Sequence, residues 1–222
     1  PMPTTLYAVP VSNFCATVRL VLQLKGVAFD ERRPPDGYAS EPYKRVVPTG
    51  TVPGLVDDAV VLSESAVIVD YLDARHPDPP LVPADGLAER ARIRWLARLH
   101  DTRIEPPLRA LFPHMNPARR DEAVVDAEWR RLATRLGDLA AATTPAPFLA
   151  GERMTLADVV YPATLLLGER MAAELGRALP LPPSLAAWWA RLRGEPPVAA
   201  MLDGYAPAVE DWLATKRAEG RG

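Results

Sequence analysis

A chain of 222 residues with 48% hydrophobic and 24% charged side chains carries enough apolar surface for one large core or two smaller ones. Its formal net charge of -2, with no basic block, offers no footing for nucleic acid or an anionic membrane as partner. One cysteine rules out an internal disulfide, and no Cys/His cluster has zinc-ligand spacing. His76, His100 and His114 are scattered, so no metal is expected. The opening "PMPTTLYAV" lacks the basic region and long apolar stretch of a signal peptide. The longest apolar stretch, "TLADVVYPATLLLG", contains Asp158 and is too short to span a bilayer. A cytoplasmic location is expected. The 25 prolines are about twice the usual share, and most fall in connections.

The first third alternates extended and helical patterns. "TLYAVPV" reads as a strand whose end is punctuated by Pro10 and Ser12. From Asn13 onward, Val18, Val21, Leu22 and Leu24 give a helical apolar face, and Gly26 after Lys25 is a stop signal. "VAFDERR" is a second short strand, and "SEPYKRVVP" one or two helical turns ahead of Pro48. "VPGLVDDAVVLSES" reads as a hairpin turning at Asp57-Asp58. "ESAVIVDYLDARH" is an amphipathic helix with Val67, Ile68, Tyr71 and Leu72 on its apolar face, ended by Pro77. The order is β-α-β-α-β-β-α.

"HPDPPLVPADG" is a proline-rich linker, beyond which the periodicity is helical throughout. "AERARIRWLARLHDTRIEPPLRALF" is a long helix that Pro106-Pro107 should kink or break. "NPARRDEAVVDAEWRRLATRLGDLAAA" is a second, with Pro117 near its first turn. "MTLADVVYPATLLLGERM" is apolar nearly all round and is expected to be buried, with Thr155 and Asp158 spaced as a capping box. "SLAAWWARLRG" and "VEDWLATKRA" are shorter terminal helices. The expected domains are 1–78, a linker over 79–87, and 88–222.

Three motifs in this order, "TVPGL" before a hairpin, "ESAVIVDYL" opening a helix and "TLAD" capping a buried helix, make the chain resemble the cytosolic glutathione transferase superfamily over nearly its whole length. The resemblance implies an α/β thioredoxin-like N-terminal domain, an all-α C-terminal helical domain, usually a homodimer, and a role of the detoxification kind. It implies glutathione as co-substrate. The proline matching Pro53 is cis in the family and turns Val52 outward, so that its N–H and C=O are able to pair with the extended cysteinyl-glycine backbone. Glu64 and Ser65 match residues that hold the γ-glutamyl carboxylate, at a helix start whose free N–H groups favour an anion. With Thr51, these are the expected glutathione-binding residues. An ordinary trans-proline, and a plain helix cap at Ser63 or Ser65, are the alternatives.

The ungapped match of "VRLVLQLKG" to the family's first helix puts the catalytic position at Ser12, as in the serine-type theta, zeta and phi classes; the omega class has cysteine there. Against the C-x-x-C of thioredoxin-fold redox proteins the chain reads Ser12-Asn13-Phe14-Cys15, with the attacking thiol replaced. A hydroxyl forms no mixed disulfide, which disfavours dithiol exchange. Cys15 is read as a small packing residue. The catalytic tyrosine of other classes falls at Ala8, and one residue of offset in a strand turns Tyr7 to the opposite face.

Several positions depart from the family pattern. Val47-Pro48 stands where Asn-Pro is common, and Thr51 where a basic residue often precedes the cis-proline pair. Tyr38-Ala39-Ser40 replaces a cation near the glycyl carboxylate, for which Lys44 is a substitute or merely a solvated side chain. The electrophile is expected to lie between the domains, near Phe14 and a segment bearing Arg109, Leu111 and Phe112. Two further functions stand beside glutathione transfer: a glutathione-dependent isomerase or dehalogenase of the zeta type, and a non-catalytic binding or scaffold protein.

Overall fold

The computed structural model describes residues 3–220. It separates into two compact units, Pro1–Leu81 and Val82–Gly222, the division falling inside the proline-rich stretch 79–87.

The first unit has four short strands, β1 (Thr4–Tyr7), β2 (Phe29–Arg32), β3 (Gly54–Asp57) and β4 (Val60–Ser63), in the sheet order β2-β1-β3-β4. β1 and β2 run parallel, as a crossover through helix α1 (Asn13–Leu24) requires, and the other pairs are antiparallel. The hairpin turns at Asp58-Ala59, one residue later than the sequence suggests, because Asp57 pairs with Val60 and stays in the strand. Asp57 has reason to stay: its carboxylate accepts from the Thr4 hydroxyl at 2.8 Å and the Tyr71 hydroxyl at 2.7 Å.

Helix α1 buries Val18, Leu20, Val21 and Leu22 completely, whereas Leu24 is only half-buried. Its end is a Schellman arrangement: Gly26 sits at φ +62°, its N–H reaches the Gln23 carbonyl, and the Val27 N–H reaches Leu22. The Lys25 ammonium is fully buried and donates to Asp73 at 2.6 Å and to the Pro79 carbonyl at 2.5 Å. Asp73 in turn accepts from the Leu81 N–H at 2.8 Å. One buried ion pair thus binds the end of α1 to α3 (Ser65–Arg75) and to the chain leaving the unit.

The buried face of α3 is Ile68, Val69 and Leu72. This corrects the face read from the sequence: Val67 is 49% exposed, and Tyr71 is half-buried with its hydroxyl on Asp57. Short α2 (Glu41–Lys44) is capped by the Ser40 hydroxyl, which accepts from the Tyr43 N–H at 3.1 Å.

The second unit is all-helical. The helix expected to break at Pro106-Pro107 runs as α4 (Leu87–Leu99), a wider π-type turn over His100–Ile104, and α5 (Glu105–Ala110). The wide turn falls immediately ahead of the two residues that lack an N–H. In it, buried His100 bonds the Thr164 hydroxyl at 2.6 Å and Asp101 at 2.7 Å. Pro117 does not open the next long helix. It lies in a separate 3-10 turn (Pro117–Arg119), and α6 (Glu122–Ala142) starts where Asp121 accepts from the Ala123 and Val124 N–H groups.

The buried "TLADVVYPATLLLGERM" segment is two helices, α7 (Leu156–Val159) and α8 (Pro162–Glu174), separated just ahead of Pro162. The capping box is formed. α9 (Pro183–Leu192) is followed by α10 (Pro196–Glu219), which passes through Pro207 and extends well upstream of the segment read as helical. No helix among the described residues is long and apolar enough to cross a membrane.

Candidate functional site

Sheet polarity assembles the candidate residues. The register aligns Arg32, Tyr7, Gly54 and Ser63 in one row across the four strands. Because β1 ends at this row, antiparallel β3 begins at it and β4 ends at it, three distant segments leave the sheet on the same side. They are the turn leading to Ser12, the Thr51–Pro53 turn, and the Glu64-Ser65 start of α3. Open sheets place ligands at the carboxyl ends of their parallel strands, and β1 and β2 both end here.

Ser12 is the N-cap of α1, with extended φ and ψ of -72° and 116°. Its Oγ accepts from the Cys15 N–H at 3.2 Å, which satisfies one orphan donor of the helix. The approach to Ser12 is held by Arg19, whose guanidinium grips Glu31 at 2.6 and 2.8 Å and touches the Val9 carbonyl at 3.4 Å. Cys15 is fully buried, and burial pushes its thiol up, only partly opposed by a hydrogen bond from Ser12. That is the opposite of what a reactive thiol needs. Tyr7 packs its ring against Tyr43, with centroids 5.5 Å apart, and Ala8 is 1% exposed.

The Val52–Pro53 peptide bond is cis. Thr51 is exposed; its Oγ1 lies 2.9 Å from Thr49 Oγ1, its N–H points to the same oxygen at 3.4 Å, and its carbonyl accepts from the Tyr43 hydroxyl at 2.9 Å. Between these anchored neighbours, the Val52 N–H and C=O make no backbone hydrogen bond among the described residues. Glu64 is exposed and held at φ +68° and ψ 109°, a backbone conformation that L-residues seldom adopt. Its carbonyl accepts from Val67 and Ile68, both at 3.0 Å, and its side chain caps nothing. The Ser65 and Ala66 N–H groups have no backbone partner among the described residues.

Phe14 is half-buried on α1, in the first unit. Arg109 and Phe112 belong to the second, where the Arg109 guanidinium pairs with the buried Glu105 carboxylate and lies 5.2 Å from the centre of the Phe112 ring. Phe112 also packs on Trp212 at 5.0 Å. Leu111 is fully buried in the core of that unit. Lys44 pairs with Glu41 of its own helix at 2.9 Å. No group of His, Cys, Asp and Glu side chains able to hold a metal is present among the described residues.

Tyr43 is the residue that sequence reasoning does not reach. Its one written signal is Gly54, a glycine beside a proline at a strand start where no turn demands it.

Two family models match: "Glutathione S-transferase, N-terminal domain" over residues 6–80 and "Glutathione S-transferase, C-terminal domain" over 100–196. A glutathione S-transferase of Pseudomonas putida is 32% identical over 162 residues, 70% of each chain. A stringent starvation protein A homolog of Coxiella burnetii is 44% identical over 92 residues, 41% of this chain and 44% of that protein, so less than half of it is spanned. Among solved structures, a delta-class glutathione transferase of Nilaparvata lugens has the same fold. Its TM-score is 0.81 at 24% identity, over 97% of this chain and 99% of that one.

Proposed function

Because the chain belongs to the cytosolic glutathione transferase superfamily, we propose that it is a glutathione transferase in which Ser12 activates the glutathione thiol for attack on a small electrophile. The observation that carries this reading is the convergence of Ser12, Val52 and Glu64-Ser65 at one end of the sheet. Each offers a group of the right kind. The Val52 N–H and C=O suit the cysteinyl backbone as in strand addition. The Ser65 and Ala66 N–H groups, with the Ser65 hydroxyl, suit the γ-glutamyl carboxylate. The Ser12 hydroxyl proton suits the sulfur. Thr51 and Pro53 shape the turn between them.

The energetics close without a general base. A free thiol with a pKa of about 8.5 is only a few per cent ionised at neutral pH. Lowering it by about two units takes roughly 2.7 kcal/mol of preferential thiolate stabilisation. A hydrogen bond to a charged group contributes about 1.5–3 kcal/mol. The α1 N-terminus adds about 0.3–1 kcal/mol. The thiol proton passes to solvent, the thiolate forms the new sulfur–carbon bond, and the leaving group departs with its electron pair. Phe14, on the helix that Ser12 caps, is a proposed contact for the electrophile. A homodimer and a cytoplasmic location belong to the same proposal.

The likeness to a stringent starvation protein A homolog favours one second reading, a glutathione-transferase fold used for binding rather than conversion. Calorimetry with glutathione, followed by conjugation of a generic aromatic electrophile by wild type and Ser12→Ala, separates the two. The transferase reading expects binding, turnover, and at least a roughly tenfold lower rate in Ser12→Ala. Binding without turnover supports the second reading, and unchanged turnover in the variant removes Ser12 from the mechanism.

A further inference from the structure

We propose that Tyr43 is a positioning residue of the glutathione site, acting through the Thr51 carbonyl and dependent on the absence of a side chain at Gly54. The inference rests on the transferase reading above. Tyr43 is fully buried, and its backbone N–H is held by the Ser40 cap at 3.1 Å. Its ring lies against Tyr7 at the end of β1, and its hydroxyl donates to the Thr51 carbonyl at 2.9 Å. Burial raises the phenol far above its ordinary value, with the Cys15 and Tyr7 groups adding to the effect, so the hydroxyl stays protonated and remains a donor at every working pH.

Gly54 makes this placement possible. A Cβ built there would collide with the Tyr43 hydroxyl oxygen and come within 2.7 Å of a Val47 methyl. Gly54 is not a positive-φ glycine, so what it supplies is space. Tyr43 fills that space and reaches past it to the turn. With Thr51 tied to Tyr43 on one side and to Thr49 on the other, Val52 is the residue of the turn whose N–H and C=O are left for a bound backbone. Cutting the tyrosine tether leaves the Thr51 carbonyl without its hydroxyl donor and frees the turn to rotate. The pairing edge then has to be ordered at the moment of binding, which weakens affinity without touching the sulfur chemistry.

The test uses the full chain with glutathione and a generic aromatic electrophile. Tyr43→Phe keeps the ring and removes only the hydroxyl. It is expected to raise Kd and KM for glutathione about fivefold while kcat stays within about twofold. Gly54→Ala, which displaces the hydroxyl from the other side, should shift KM in the same direction, and should do so less in the Tyr43→Phe background because one collision is gone. Unchanged KM in both single variants, with only the melting temperature lowered, overturns the inference and leaves the transferase reading standing. A wild-type chain that binds no glutathione overturns both. If Tyr43→Phe does not fold, Gly54→Ala alone decides by the same split between KM and kcat.

Discussion

Among the helix starts opened by hydroxyl residues, those at Thr155 and Ser12 are finished differently. At Thr155 everything is closed. Asp158 is fully buried and accepts from the Thr155 N–H at 2.9 Å, the Thr155 hydroxyl at 3.1 Å, the Leu149 N–H at 2.9 Å and the Trp188 indole at 3.0 Å. Burial pushes that carboxyl up, while all four donors favour its ionised form. At Ser12, by contrast, a half-buried hydroxyl engages a single residue, Cys15, through its N–H and its thiol, and at Glu64 the side chain caps nothing at all. A cap locked among four buried donors holds the fold together; a half-buried cap whose hydroxyl can turn is able to hold something else. The capping box and the proposed sulfur site are the same local device in those two conditions.

The contrast is broken most directly at Asp158. Asp158→Ala leaves four buried donors without an acceptor and should destabilise the chain by about 3–5 kcal/mol. Urea unfolding reads that loss, and glutathione affinity per folded molecule should be unchanged. Ser12→Ala should invert the pattern. The cap contributes only about 0.5–2 kcal/mol, whereas the conjugation rate falls by at least about tenfold. A Ser12 variant that loses stability and keeps its rate would make the two caps alike.

Glu64→Gly sharpens the comparison from the other side. Glycine adopts φ +68° without steric penalty, so folding stability should rise by up to about 1 kcal/mol while glutathione binding weakens. A gain in both would mean that the strained conformation serves no ligand.

The smallest effect is electrostatic. Burial alone would raise Asp57, but the hydrogen bonds from Tyr71 and Thr4 and the charge of Arg75 outweigh it and hold the carboxyl below its ordinary range. Its stabilisation is therefore complete above the unfolded carboxyl pKa of about 3.9, and fades as pH falls through the lower folded value. Urea midpoints measured from pH 6 downward should drop, and Asp57→Asn should flatten that slope.

Much of this was legible in the residues. Strand and helix order, the Gly26 stop, the Thr155–Asp158 box and the packing role of Cys15 each follow from local chemistry and agree with the structure. Deviations occur where tertiary partners override local pattern. Val67 lies outward because the sheet takes Ile68, Val69 and Leu72, and Tyr71 is drawn aside by Asp57. Pro207 lies outside the segment read as the last helix, yet α10 runs through it with Val198, Met201, Leu202, Tyr205, Val209 and Leu213 buried on its long face. The wide turn at His100 needs Thr164 from a distant helix, which no local window contains. In the candidate site, motif and resemblance name Ser12, Val52, Pro53, Glu64 and Ser65. Tyr43 stays hidden because its role depends on the empty space over a glycine eleven residues away, and that is a property of the fold.

The row that aligns Arg32, Tyr7, Gly54 and Ser63 also gives the sheet a silent end. The Asp58-Ala59 turn lies a full strand length away from that row, on the order of 10 Å, and both residues are exposed. A short tag, a fluorophore or a cleavage sequence inserted between them would enter the first unit at the end of the sheet opposite the proposed site. The hairpin is therefore an attachment point set apart from the proposed site by the length of the sheet.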